Sequence, residues 1–437
     1  MCPLRSSLPP LGIALVALSL LAQTSCAQNR KATAKTIPSA SGLSGKVFAG
    51  YQGWYRTPTD GSGLGWEHYE TYEEDFKPSE VGIDFWPDVS ELTDTEKFAT
   101  QFKQADGSTA YVFSSQNETT VDRHFKWMAD YGIDGIFLQR FAHDVLEGGH
   151  HQWELLQPSN NKMVEYVKKG AHAHDRAYSI MYDLTSIRHG EMPMIMDDWR
   201  GLCDRLELLS DPHYLHEDGK PLVAIWGVGF SDNRKYTLDE VATLIDFFKN
   251  DPDYGGCSVM LGVPTYWRTL KKDATSDPKF HDVIRSADAI LPWTVGRFGG
   301  SKKALQRGID YVSPDQQWCQ QNGVHYMPLA FPGFSWGNRY KHQNAKYDHI
   351  PREGGQFLWN QALAAKRAGA DTLYIAMFDE MDEGTQIFKA TNDVPVGESP
   401  FLSYAPHATD YYLRLTGAIG RLLRDEIPAS KEIPEEL

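Results

Sequence analysis

Cysteine is scarce in this chain of 437 residues. Two of its five thiols, Cys2 and Cys26, fall near the N-terminus, leaving Cys203, Cys257 and Cys319 in the body. Three widely spaced thiols make no disulfide framework and lack zinc-site spacing, so they read as small buried apolar groups. Positive charge is also in short supply. A formal net charge of −15 argues against a nucleic-acid-binding surface. There is no Gly-rich phosphate loop and no dinucleotide fingerprint, which removes the common nucleotide-dependent chemistries. Past the first two dozen residues no long apolar run occurs, so the body contains no candidate membrane-spanning helix.

The one apolar run, Leu11 to Leu21, follows Arg5 and precedes small polar residues. That is the pattern of a secretory signal peptide, taken as residues 1–26. Cleavage is expected after Ser25-Cys26-Ala27, or before Cys26 with lipidation of its thiol. Leu21-Ala22-Gln23-Thr24-Ser25-Cys26 resembles a bacterial lipoprotein box with Gln23 where an aliphatic residue is usual. The expected location is the periplasm or cell surface, with Cys26 a candidate attachment point to the outer membrane. Residues 27–44 read as a tether, 45–424 as one domain and 425–437 as an acidic, Pro-containing tail.

Within the body, apolar segments alternate regularly with helical patterns. Strands are expected at Val47–Tyr51, Gly135–Arg140, Ala177–Tyr182, Pro221–Val228, Cys257–Val263, Ala289–Trp293, His325–Leu329 and Thr372–Phe378. Helical patterns cover 121–131, 161–173, 197–209, 238–249, 280–286, 302–310 and 356–368. Eight strands in such alternation predict an α/β protein, a (β/α)8 TIM barrel with long loops at the C-terminal face. Tyr111 to Ser114 would make a ninth strand and is assigned to the long excursion before residue 121.

The residues expected at the strands' C-terminal ends are aromatic and polar. Tyr51, Trp54 and Tyr55 follow the first strand, His143 the second and Asp183 the third. Trp226 lies in the fourth, Tyr266 follows the fifth, Trp293 and Arg297 the sixth and Trp336 the seventh. Twelve Trp and twenty-one Tyr suit a sugar groove, because flat apolar faces stack on pyranose rings while N–H and O–H groups meet hydroxyls. Each also has a plainer reading. Tyr51 and Trp54 can be packing at the barrel mouth, Asp183 can cap a following segment, and His143, His150 and His151 can be solvated loop residues. His172 and His174 read as partners of a helix C-terminal dipole, and Asn117-Glu118-Thr119 matches the glycosylation pattern by chance.

The last strand empties into Asp379, Glu380, Asp382 and Glu383, followed by Gly384. If the chain turns helically there, Glu380 and Glu383 share a face with Cβ atoms about 5–6 Å apart. Two carboxyls at that spacing can split into an acid and a base, as retaining glycosidases require. A solvated acidic turn or a cation site built from the four acids are the competing readings.

Three segments resemble glycoside hydrolase families 71 and 99, and most closely secreted bacterial proteins related to family 99, some labelled xylosidase/arabinosidase. They are Gly50-Tyr51-Gln52-Gly53-Trp54-Tyr55 with Trp66-Glu67-His68-Tyr69, then Tyr131-Gly132-Ile133-Asp134-Gly135, then Phe378-Asp379-Glu380-Met381-Asp382-Glu383-Gly384-Thr385-Gln386-Ile387. The family motif reads approximately Asn-Glu-Trp-His-Glu-Gly-Thr, so its two glutamates align with Glu380 and Glu383. The resemblance implies cleavage of α-mannosides with retention and no cofactor. It assigns Glu380 as base on the sugar 2-hydroxyl, giving a 1,2-anhydro intermediate, and Glu383 as acid then base. Asp379, Met381 and Asp382 depart from the family's Asn, Trp and His, which is expected to alter the walls around the reacting ring. The expected partner is an oligo- or polysaccharide. Alternatives are an α-glucanase or pentosidase of the family 71 type, a non-catalytic glycan-binding protein, and a metal-dependent hydrolase using the four acids.

Overall fold

The computed structural model describes residues 40–71 and 76–437. By contacts the chain divides into Met1–Ile37 and Pro38–Leu437, and the first unit lies outside the described residues. The leader, Cys26 and the tether up to residue 39 lie outside them too.

Nine parallel strands form one curled sheet. They are β1 (Val47–Tyr51), β2 (Gly135–Phe141), β3 (Ala177–Asp183), β4 (Lys220–Trp226), β5 (Ser258–Pro264), β6 (Ala289–Trp293), β7 (His325–Tyr326), β8 (Leu329–Ala330) and β9 (Leu373–Ile375). Pairing follows the order β7-β6-β5-β4-β3-β2-β1-β9-β8. The registers set Phe48 beside Gly135 and Tyr374 beside both Phe48 and Leu329. The two ends of the path belong to one segment, 325–330. Met327 N–H donates to Ile290 O at 2.9 Å, whereas Tyr374 N–H donates to Pro328 O at 3.0 Å. One strand was expected there. Pro328 has no N–H to give, so the ladder is interrupted and divides into β7 and β8.

The strands read as continuous apolar runs because both of their faces are covered. Phe48, Phe137, Met181, Met260, Leu291 and Tyr374 pack together on one face. Val47, Ile136, Ile180, Val223, Leu261 and Ile375 face the helices. The helices are α1 (Glu118–Asp130), α2 (Trp153–His174), α3 (Met192–Leu206), α4 (Leu238–Asn250), α5 (Lys279–Ser286), α6 (Ser301–Arg307), α7 (Ser313–Asn322), α8 (Gln356–Arg367) and α9 (Tyr411–Leu423). A capping box between Thr237 and Glu240 opens α4. The Asn117 side chain caps α1 through Thr119 N and Thr120 N, which gives the apparent glycosylation motif a structural use.

The motif Tyr131-Gly132-Ile133-Asp134-Gly135 is architectural as well. Gly132 takes a left-handed turn at φ 73° after α1. Asp134 accepts the Val47 N–H at 2.9 Å, and a Cβ at Gly135 would meet Ala177 O at 2.2 Å. These residues hold the N-terminal ends of β1, β2 and β3 together.

The excursion between β1 and α1 carries an antiparallel hairpin, Phe98–Lys103 with Thr109–Val112, so Tyr111 stands outside the main sheet as expected. Its ordering comes from an aromatic cluster of its own, in which Phe76 packs against Trp66, Tyr69, Trp86 and Phe102. Two expected boundaries shift. Ala40 and Leu43 are buried, and Leu43 N–H donates to Glu217 Oε2 at 2.8 Å, so the packed body begins before residue 45. The final segment is anchored too: Trp359 Nε1 donates to Ser430 O at 3.0 Å, and Ile433 and Leu437 pack against the core.

Candidate active site

Beyond Ile375 the chain leaves the β9 ladder and turns at Met381–Gly384, where Thr385 N–H and Gln386 N–H both return to Glu380 O at 3.0 and 3.1 Å. The turn requires a glycine. Gly384 sits at φ 62°, and a Cβ there would lie 2.9 Å from Ser335. All four acids are therefore fixed at the C-terminal end of the sheet, in a turn rather than a helix.

Each carboxyl has a different environment. Asp379 is fully buried and accepts the N–H groups of Gln52 and Gly53, both at 2.8 Å. Burial pushes its carboxyl up to about 7, against those two bonds. Glu380 accepts Gln52 Nε2 at 3.0 Å and the Thr385 hydroxyl at 2.6 Å. Burial first, then the charges of Glu383 and Asp382, raise its carboxyl well above the usual range. Burial and Asp382 bring Glu383 up to about 7, opposed by Arg339. Among the described residues, nothing donates a hydrogen bond to the Glu383 carboxyl.

Asp382 behaves oppositely. Burial alone would raise it, but Arg339, His68 and Tyr55 together hold it below the ordinary carboxylate range. Arg339 Nη1 pairs with its Oδ2, where His68 Nδ1 also lies at 2.9 Å. The Tyr55 hydroxyl donates to Asp382 Oδ1 at 3.1 Å while accepting the backbone N–H of Met381 at 2.6 Å and of Asp382 at 3.0 Å. One phenol thus fixes both the turn and its ionised acid. His68 adopts a left-handed φ of 63°, a conformation that costs about 1 kcal/mol or more and that clusters at functional sites. Its ring stacks on Trp54 at 3.7 Å and 4°.

Beside these acids lies a cleft of about 650 Å³, whose walls include Gln52, Trp54, His68, Gln139, His143 and Arg339. Gln52 also binds Glu380, and Arg339 and His68 also bind Asp382, so the cleft wall and the acid turn share residues. Several polar atoms here are buried without a protein partner: Gln52 Oε1, Trp54 Nε1, Gln139 Oε1 and His143 Nδ1. Buried polar atoms are normally bonded, so these four are free to meet water or a polar ligand in the cleft.

Of the expected contact residues, Trp54 and His143 line the cleft, with His150 and His151. Tyr51 does not. It is fully buried, its hydroxyl bonded to His124 Nδ1 at 2.9 Å and its ring against Phe378. Tyr55 is buried too, its hydroxyl bonded to the turn. Asp183 is buried at the end of β3, accepts Thr185 N–H at 2.7 Å and is raised to about 6 by burial. Trp226 and Trp293 pack edge to face, 5.4 Å apart. Tyr266 carries Lys272 over its ring at 3.9 Å, Arg297 pairs with Asp273 at 3.3 Å, and Trp336 packs on Phe334 and Tyr340. None of these last five lines the large cleft, and Trp226 Nε1 is buried without a protein partner. Met381, where the family has Trp, is fully buried.

Sequence reasoning underweighted Gln52, His68, Glu70, Gln139, Asp144 and Arg339, all in the cleft wall. His68 and Gln52 were visible in the two motifs of the first segment, and Gln139 and Arg339 as residues that follow expected strands; Glu70 and Asp144 had no local signal. Burial, followed by the Glu67 charge, pushes Glu70 up to about 8, and burial raises Asp144 to about 6.

No protein-family model matches the chain. A curated Danio rerio protein, glycoprotein endo-alpha-1,2-mannosidase-like protein, is 30% identical over 121 residues, 25% of this chain and 25% of that one. The aligned part thus spans about a quarter of that relative's length. Among solved structures, the GH99 endo-alpha-mannosidase from Bacteroides thetaiotaomicron superposes with a TM-score of 0.61 at 16% identity, covering 88% of this chain and 98% of that one. A structure described as a glycoside hydrolase-like protein gives 0.52 at 12% identity, with coverages of 77% and 94%. This chain therefore has the fold of the GH99 endo-alpha-mannosidases, in agreement with the resemblance carried by its sequence segments.

Proposed function

We propose that this chain is an exported (β/α)8 glycoside hydrolase that cleaves α-mannosyl glycans with retention, using Glu380 and Glu383. Barrel closure is our reading of the segment 325–330, whose two halves pair with β6 and β9. The observation that carries the functional reading is the Glu380–Glu383 pair beyond the end of β9, Glu380 buried and bonded to Gln52 of an aromatic, polar cleft and Glu383 partly exposed.

Mutual repulsion and burial make the pair hold one proton near neutral pH. The hydrogen bonds support placing that proton on Glu383, against the burial and the two neighbouring charges that raise Glu380 well above the usual range. Both oxygens of Glu380 accept bonds, which favours its ionised form and suits a base for the sugar 2-hydroxyl. Glu383 accepts none among the described residues and is the one free to protonate the departing oxygen. In the first step the 2-oxygen attacks C1 as the glycosidic bond breaks, giving a 1,2-anhydro sugar and a Glu383 carboxylate. Glu383 then takes a proton from water as that water opens the epoxide at C1, and the 2-oxygen regains its proton from Glu380.

The test is NMR of the first-formed anomer during digestion of an α-mannan. The α-anomer is expected; β-product would exclude these roles. Export through the apolar leader, with attachment at Cys26, belongs to the same reading and is tested by globomycin-sensitive lipid labelling.

A further inference from the structure

At the opposite end of the sheet from the acid turn, the segment between α2 and β3 meets the loop before β4. Three side chains converge there. His172 lies in the last turn of α2, and Asp211 and His213 lie on the loop; one donor atom from each falls within 4.8 Å of the others. The two imidazole rings are 4.2 Å apart.

The Asp211 carboxylate is divided between two sets of partners. Its Oδ2 accepts the Tyr178 hydroxyl at 2.8 Å and lies 3.0 Å from Lys168 Nζ. Its Oδ1 is 2.8 Å from His172 Nε2 and accepts the His213 backbone N–H at 2.8 Å. The first set fixes the carboxylate's orientation, as outer partners of a ligating acid do. It also leaves Oδ1 turned toward the histidines. Burial opposes ionisation of Asp211, but the bonds from His213, Tyr178, Lys168 and His172 hold it below the ordinary range.

His213 is arranged in the same way. Its Nε2 lies 3.5 Å from Asp175 Oδ1, and its Nδ1 is buried with no hydrogen-bond partner. A carboxylate behind one ring nitrogen, with the other nitrogen's lone pair uncommitted, is the usual arrangement of a metal-binding histidine. An ordinary dipole partner for a helix terminus, which is how His172 reads in sequence, needs neither the second histidine nor the oriented acid.

We propose that His172, Asp211 and His213 form a binding site for a divalent transition metal of the zinc class, with water completing the coordination. Two imidazoles and one carboxylate suit zinc, nickel or copper and not magnesium or calcium, which take all-oxygen sets. The bound ion ties the turn between α2 and β3 to the loop before β4. It sits apart from Glu380 and Glu383, so its effect is on stability and not on turnover.

The test is calorimetric titration of tag-free, EDTA-treated protein with zinc sulfate, with cobalt chloride as a spectroscopic probe. Wild type is expected to bind one zinc ion with micromolar or better affinity, to give the visible bands of tetrahedral cobalt, and to show a higher Tm with zinc than with EDTA. His172→Ala and His213→Ala are each expected to weaken binding at least tenfold. His172 is exposed and His213 partly so; His172→Ala removes one bond to Asp211, and both variants keep those from Tyr178, Lys168 and the backbone N–H of residue 213. The absence of saturable binding in folded wild type overturns the proposal. So does binding that survives in both variants, or that disappears instead on replacing His150 and His151 in the cleft.

Discussion

Replacing Asp382 with Asn removes one buried negative charge while keeping the shape and the acceptor that Tyr55 needs. Neighbouring carboxylates about 6 Å apart interact by roughly 2–3 kcal/mol at an effective dielectric constant near 20, or about two pKa units. Asp382 raises both Glu380 and Glu383, so its loss lowers both. Arg339, freed of its partner, acts in the same direction. Screening by the open cleft reduces the effect to about 1–2 units. The proton donor must be protonated to work, so a lower pKa shifts the alkaline limb of the activity profile to lower pH. From a wild-type group near 7, kcat/KM at pH 7 is expected to fall roughly tenfold, with near-normal activity retained around pH 5. The assay is kcat/KM on the cleaved glycan between pH 4 and 9, with urea unfolding to verify that the variant is folded. An alkaline limb that stays in place, or rises, refutes the electrostatic argument.

Other outcomes follow from the same contacts. Tyr55→Phe leaves two buried N–H groups and one carboxylate oxygen without their partner; a loss of about 2–4 kcal/mol in urea unfolding, with kcat falling more than KM rises, is expected. Arg352 donates to the carbonyls of Gly384 and Gln386 from between the rings of Phe85, Tyr404 and Tyr412, so Arg352→Met should cost about 2–4 kcal/mol and lower kcat by loosening the turn after Glu383. Glu70 has its folded pKa raised to about 8, so its contribution is fully present below its unfolded pKa and is lost as pH rises toward 8. Glu70→Gln should therefore be more stable than wild type by about 2–3 kcal/mol at pH 9, with the gap closing by pH 5. EDTA should leave turnover unchanged while lowering Tm; lost turnover restored by metal would favour the metal-dependent reading of the four acids.

The sheet was legible because its strands are buried on both faces and so appear as short apolar runs between amphipathic stretches. Val47–Tyr51 and Ala289–Trp293 match their strands residue for residue. α9 went unread, although its apolar face packs against the core, because no strand follows it to complete the alternation. The acid turn was legible from four carboxyls after an apolar run. Its electrostatics were not, since Asp382 is separated from its partners by hundreds of positions (His68) or dozens (Arg339). Aromatic residues misled for a related reason. Tyr51 and Trp54 sit three apart in one motif, yet the first points at His124 in the core and the second lines the cleft. Only the fold of the excursion after β1 separates them.

The measurement that most directly tests the central claim is reducing-end release from a panel of α-mannans, α-glucans and arabinoxylans by wild type, Glu380→Gln and Glu383→Gln. Release from an α-mannan, abolished in both folded variants, is the expected result. Release that persists in either variant, or none from any polymer by folded wild-type protein, would contradict the two-glutamate mannosidase account.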